Sequence, residues 1–233
     1  MNRTRLERFG RIAVLRMDWG HRVNVLSTVR LRELERLLGG LAGDVGGLIL
    51  TGNGRGSFAA GADLAEIAAL DPIGAQELSR EGQRLAARLA EGPQVTAAVV
   101  DGHALGGGFD LAMSCDVVVA TERSRFGHPG LSRGLFTGWG GTARIPRRGR
   151  RPAGRRLLLA GGEISAREAR DAGLLADVTA TASAAMGRAR RLVSILCSWP
   201  AAARDAWRAA RRGSAAALQR ALLDLARIEA GAR

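Results

Sequence analysis

The 233-residue chain has no tyrosine and no lysine, only two cysteines, and aromatic residues at 4%. Each shortage excludes something. Without tyrosine, no phenol can act as a proton donor. Cys115 and Cys197 lie far apart with no CxxC or histidine pairing, so neither a disulfide framework nor a metal site is indicated, and both read as buried apolar residues. No apolar run approaches the roughly 20 residues needed to cross a bilayer, so no membrane partner is expected. The opening MNRTRLERFGRIAVLRMDWG puts charges where a signal peptide has its apolar core, and a cytoplasmic location is the expectation.

What is present is a chain with 46% hydrophobic residues and a formal net charge of +13. The excess is uneven. From Arg144 onward there are 19 arginines against 7 acids, whereas the first part is nearly balanced. A basic face of this kind attracts nucleic acid, acidic proteins or polyphosphate ligands, and a merely solvated face is an equal reading. The helical segments have no clustered aromatics and no RNA-binding module, so nucleic acid is not the expected partner.

Hydrophobic periodicity gives alternating short strands and helices. RIAVLRMDW and GGLILTG read as strands, with VRLRELERLLGGL between them as a helix on the spacing of Leu31, Leu34, Leu37 and Leu38. QVTAAVVDG and CDVVVAT read as further buried strands flanking the apolar FDLAMS. Beyond Ile145 the pattern turns helical, with GRRLLLAGG, SAREARDAG behind a Ser cap, and amphipathic runs from Ala180 to Ser198 and Pro200 to Arg233. AGLLADVTA is the one late strand candidate. The class is α/β.

Two glycine-rich turns carry the chemistry. GSFAAGADLAEI and DGHALGGGFDLAMSCD each lead from a strand into a helix, so backbone N–H groups at Gly61 and Ala62, and at Gly106, Gly107 and Gly108, are available to a ligand. Neither has the spacing of a dinucleotide loop, and neither supplies the lysine of a phosphate loop. Converging, they would give two N–H donors to a developing oxyanion.

The segments FAAGADL, GHALGGGFDLAMSCDVVVA, FGHP followed by GWGGTARIPR, and GGEISAREARDAGLLADV resemble, in order and spacing, the successive signatures of the enoyl-CoA hydratase/isomerase (crotonase) family, over about residues 11 to 180. The resemblance implies a crotonase-like spiral of ββα units over residues 1–180. A helical region over 181–233 would build a homotrimer or a dimer of trimers. It implies an acyl-CoA or acyl-carrier thioester as ligand, coenzyme A entering only as part of the substrate, and no other cofactor. It also puts the oxyanion donors at the N–H groups of Ala62 and Gly107, and the adenine end of CoA along Phe58, Ala59, Ala60 and Gly61, with Asp63, Gly106 and Trp139 nearby.

Family hydratases use two glutamates. By position the first falls on Asp110 and the second on Gly130, which has no functional group. A side chain shorter by one C–C bond draws its oxygens back by about 1.5 Å. The loss of one general acid or base removes about 10²- to 10⁴-fold. His128, two residues before the gap, is a candidate replacement because imidazole ordinarily titrates near neutrality. His103, Asp63 and Asp116 read as structural, Glu66 is a candidate to reach the acyl pocket, and Trp139 narrows that pocket. Three readings follow. One is an enzyme that stabilises a thioester enolate with Asp110 moving the proton, favouring isomerisation or decarboxylation over hydration. The second is a non-catalytic acyl-thioester-binding or assembly subunit, and the third an RNA-binding homologue.

Overall fold

In the computed structural model, residues 4–136, 138–149 and 151–212 are described. The order is β1 (Arg5–Phe9), β2 (Ile12–Arg16), α1 (Thr28–Gly39), β3 (Gly47–Thr51), β4 (Ser57–Ala59), α2 (Leu64–Ala69), α3 (Pro72–Glu91), β5 (Val95–Val100), β6 (His103–Leu105), α4 (Gly107–Ser114), β7 (Val117–Thr121) and β8 (Arg125–Gly127). After a 3-10 turn over Pro129–Arg133 come α5 (Gly141–Arg148), α6 (Arg151–Ala160), β9 (Glu163–Ser165), α7 (Ala166–Asp171), β10 (Asp177–Thr179), α8 (Ala182–Ser198) and α9 (Ala201–Arg212). The helical run expected from Pro200 to Arg233 is helical as far as Arg212; residues 213–233 lie outside the described residues.

The strands form two sheets, in the orders β1-β2-β3-β5-β7-β10 and β4-β6-β8-β9. Successive repeats send their first strand (β3, β5, β7) to the large sheet and their second (β4, β6, β8) to the small one, all in parallel pairing. This is the expected ββα spiral. Because the turns are stacked in register, β4 and β6 end side by side, and the loops leaving them emerge at one place.

The central strands of the large sheet, β2, β3, β5 and β7, are buried on both faces, which is why they read as continuous apolar runs, whereas the edge strand β1 is exposed. One face, with Leu15, Leu48, Leu50, Ala98, Val100 and Val118, joins the main core with α1, α3 and α4. The other, with Val14, Ile49, Val99, Val117 and Val119, packs on Ala185, Ala189, Val193 and Leu196 of α8. That helix lies so close that a Cβ at Gly47 would come within 2.4 Å of the Val193 side chain.

Helix α9 is tied down by charge as well as packing. Arg208, almost fully buried, donates to Asp116 Oδ2 at 2.8 Å and to the carbonyls of Gly92 at 2.9 Å and Gln94 at 2.5 Å. Asp116 also accepts from Thr96 N at 3.0 Å, so one carboxylate joins the start of β5, the end of α4 and the C-terminal helix. Leaving one member of a buried pair alone costs about 3–5 kcal/mol. Arg208→Ala is therefore expected to lower the unfolding free energy in urea by about 3 kcal/mol; an unchanged midpoint and slope would show that α9 is not anchored here.

Candidate active site

Strand β4 ends at Ala59, and Ala60, Gly61 and Ala62 turn into α2, where Asp63 caps the helix by accepting from Ala65 N at 2.9 Å. The back of this turn is clamped: Ala60 N donates to Asn24 O at 2.8 Å and Leu26 N to Gly61 O at 2.8 Å. Strand β6 ends at Leu105, and Gly106 opens α4. Gly61 (φ +93°) and Gly106 (φ +51°) hold backbone conformations that residues with a Cβ rarely adopt. The two turns touch. A Cβ at Gly61 would lie 3.0 Å from Leu105 O and 3.1 Å from Gly107 N, tighter than nearly all Cβ contacts. Among the described residues, neither Ala62 N nor Gly107 N donates to a protein acceptor. Gly107 N is the first N–H of α4, where the helix dipole favours negative charge.

These donors open on a cavity of about 550 Å³. Its floor carries Asp110 and His128, and its walls are mainly apolar, with Leu64, Ile67, Leu70, Leu78 and Leu135. Asp110 sits in the first turn of α4, and His128 directly follows β8. His128 Nε2 lies 3.1 Å from Asp110 Oδ1, with side-chain exposures of 4% and 1%. The distance is within ion-pair and hydrogen-bond range, although the two atoms do not form a hydrogen bond with each other.

Trp139 closes the inner end of the cavity. Its indole lies between two helices, over Gly82 in the middle of α3 and Gly107 at the start of α4; a Cβ at either glycine would come within 2.2 Å of the ring. The backbone of this loop is pinned from both sides. Ser79 Oγ and Gln83 Nε2 donate to Gly138 O at 3.1 and 2.7 Å, and Arg144 Nη1 donates to Trp139 O at 2.9 Å. Burial lowers the pKa of the Arg144 guanidinium, while the charges of Asp110 and Glu91 act in the opposite direction.

Gly130 also lines the cavity, in the 3-10 turn. A Cβ there would be 3.2 Å from Leu135 Cβ and 3.4 Å from Leu135 O, so a side chain fits if Leu135 yields by a few tenths of an ångström.

Of the residues expected at the site, Ala60, Gly61, Ala62, Gly106, Gly107, Asp110, His128 and Trp139 all line this cavity. Phe58 and Ala59 do not: they are fully buried in β4, where Ala59 O would meet a Cβ of Gly108 at 2.1 Å. Asp63 is the α2 cap, not a cavity residue. The expectation for Glu66 is corrected. Its carboxylate accepts from Thr28 N at 3.0 Å and so satisfies the start of α1, pointing away from the acyl pocket that its neighbours Leu64 and Ile67 line. His103 is exposed, with Nδ1 3.2 Å from Gly56 O. The sequence reading missed Gly82, Ser79, Gln83 and Arg144; the one available signal was an isolated glycine inside a strong helical pattern.

Alanine is normally favoured over glycine inside a helix by about 1 kcal/mol. At position 82 the sign should reverse. Gly82→Ala is expected to lower stability by about 1–3 kcal/mol, because the indole cannot share its space with a methyl group; a neutral or stabilising result in urea unfolding would show that the indole does not rest on this glycine.

The family model for enoyl-CoA hydratase/isomerase matches residues 7–230. The chain is 33% identical over 216 residues to the short-chain-enoyl-CoA hydratase of Clostridium acetobutylicum, covering 91% of this chain and 82% of that protein. It is 39% identical over 170 residues to the 2,3-dehydroadipyl-CoA hydratase of Escherichia coli, covering 72% and 66%. Among solved structures, an enoyl-CoA hydratase from Bacillus anthracis superposes with a TM-score of 0.80 at 27% identity, covering 90% of this chain and 81% of that one. DspI of Pseudomonas aeruginosa superposes with a TM-score of 0.85 at 25% identity, covering 97% and 87%. A family match across nearly the whole chain, coinciding with the paired glycine turns and the pocket they open on, makes this protein a member of the enoyl-CoA hydratase/isomerase (crotonase) family.

Proposed function

We propose that the protein stabilises the enolate of an acyl-CoA or acyl-carrier thioester, with Asp110 as the carboxylate that moves the proton, and that isomerisation or decarboxylation is favoured over efficient hydration. The observation that carries this reading is the meeting of the Gly61 and Gly106 turns, with two N–H groups free to face one oxygen above a buried carboxylate. Such donors act where charge develops, and each is worth about 10²- to 10³-fold in rate.

In isomerisation, a C2–H bond of a 3-enoyl thioester breaks, its proton passes to Asp110 and the electron pair moves onto the thioester oxygen. Return of the proton at C4 gives the 2-enoyl product. Decarboxylation needs still less from the protein: the C–C bond to the carboxylate breaks, CO₂ leaves, and the same oxygen takes the charge until the α-carbon is protonated. Hydration needs a base for water and an acid for the α-carbon together, and Gly130 supplies neither.

The relatives named as hydratases support an acyl-CoA substrate. The apolar cavity walls suit an acyl chain, and the desolvated Arg144 beyond Trp139 adds positive potential behind Asp110. No cofactor beyond the substrate's own CoA enters this chemistry. A trimer or dimer of trimers in the cytoplasm is part of the same reading, and no helix among the described residues is long and apolar enough to cross a membrane. Gly130 also motivates a second reading, a subunit that binds the thioester without turning it over.

Assays with crotonyl-CoA, a 3-enoyl-CoA and methylmalonyl-CoA separate these. The 3-enoyl or methylmalonyl thioester should turn over, with Asp110→Ala losing about 10²- to 10⁴-fold. Crotonyl-CoA should be hydrated slowly, and Gly130→Glu should raise that rate by about tenfold or more. Fast hydration that survives Asp110→Ala would contradict the first reading; binding of all three without turnover would establish the second.

A further inference from the structure

Histidine 128 is an odd residue for a structural role. A buried imidazole kept for packing ordinarily has its ring nitrogens in formed hydrogen bonds, because leaving them unsatisfied costs free energy. Here Nε2 is fully buried and has no formed hydrogen bond. What the ring does have is position. It lines the same cavity as Asp110, packs 5.4 Å from the Phe109 ring, and holds Nε2 3.1 Å from Asp110 Oδ1. Contacts between proton-transfer groups are often poorly aligned before substrate binds and tighten afterwards.

We infer that His128 is the proton-relay partner of Asp110, exchanging the proton that Asp110 takes from the substrate carbon, and so fills the need left by Gly130 from two residues away. This rests on the enolate reading above. The steps balance. The Cα–H bond breaks, its electron pair moves onto the thioester oxygen, and the proton goes to Asp110 and on to neutral His128. The N–H protons of the resulting imidazolium exchange with water, and one returns through Asp110 to the carbon. Among the described residues, the charged groups around the pair are Asp110 itself on α4 and Arg144 on α5, whose field acts on Asp110 and is balanced in part by Glu91 of α3. Across the cavity the facing side chains are apolar or, at Ser79 and Ser132, uncharged hydroxyls.

The test is exchange of the α-protons of butyryl-CoA in D₂O, followed by NMR from pH 5 to 9, for the wild type, Asp110→Asn, His128→Gln and His128→Asn, with butyryl-CoA binding and circular dichroism measured on each. Glutamine keeps a polar group near Nε2 but cannot relay a proton, and asparagine is the second variant should glutamine fail to fold. The relay predicts that the pH profile of wild-type exchange carries a limb that depends on the imidazole. A folded, ligand-binding His128 variant should lose about 100-fold in rate together with that limb. Two results overturn the relay while the enolate reading stands: a His128 variant with wild-type rate and profile, or one that is slower but keeps the limb, while Asp110→Asn abolishes exchange. Absence of exchange in the wild type despite butyryl-CoA binding overturns the enolate reading and the relay with it.

Discussion

Two stretches of backbone, at Gly61 and at Gly106–Gly107, approach each other so closely that a Cβ at Gly61 would be crowded to 3.0 Å, and both Gly61 and Gly106 hold φ values that other residues rarely adopt. The rest of the site depends on that approach. The parallel pairing of β4 with β6 brings the turns side by side, and the clamp from Asn24 and Leu26 holds one of them in place. Helix α4 can then begin at the second turn, and its first turn delivers Asp110 to the cavity. Among the described residues the Ala62 and Gly107 N–H groups have no protein acceptor, and a donor in that state is what a thioester oxygen can use.

The inner wall follows the same logic of missing side chains. Trp139 reaches the oxyanion turn only because positions 82 and 107 are glycine, and hydrogen bonds from Ser79, Gln83 and Arg144 fix the loop that carries it. The cavity is therefore bounded by a large ring braced on two helices. On the floor, Gly130 and the imidazole of His128 are two residues apart on the turn after β8.

Much of this was legible in the sequence for physical reasons. The long strands of the large sheet are apolar on both faces and read as continuous runs, and the glycine turns announce themselves by composition. The small sheet was not legible: β4, β6, β8 and β9 have three residues each, too few to show a period. Glu66 was misread because an acid in a first helical turn satisfies a neighbouring helix as readily as it faces a ligand, and only the tertiary position of Thr28 decides between them. Phe58 and Ala59 do not line the cavity because β4 runs through Ala59 and the turn begins at Ala60, two residues beyond the start of the segment expected from sequence. The pairing of Gly82 with Trp139 spans 57 positions and has no local signature.

The central claim is that the thioester oxygen sits between the Ala62 and Gly107 N–H groups. The infrared stretch of the thioester carbonyl in bound [1-¹³C]butyryl-CoA tests it most directly. Two N–H donors at a helix start should polarise that carbonyl and lower its frequency below the value in water. A frequency equal to or above the value in water would mean that the oxygen lies among the apolar walls and that the two turns do not form an oxyanion site.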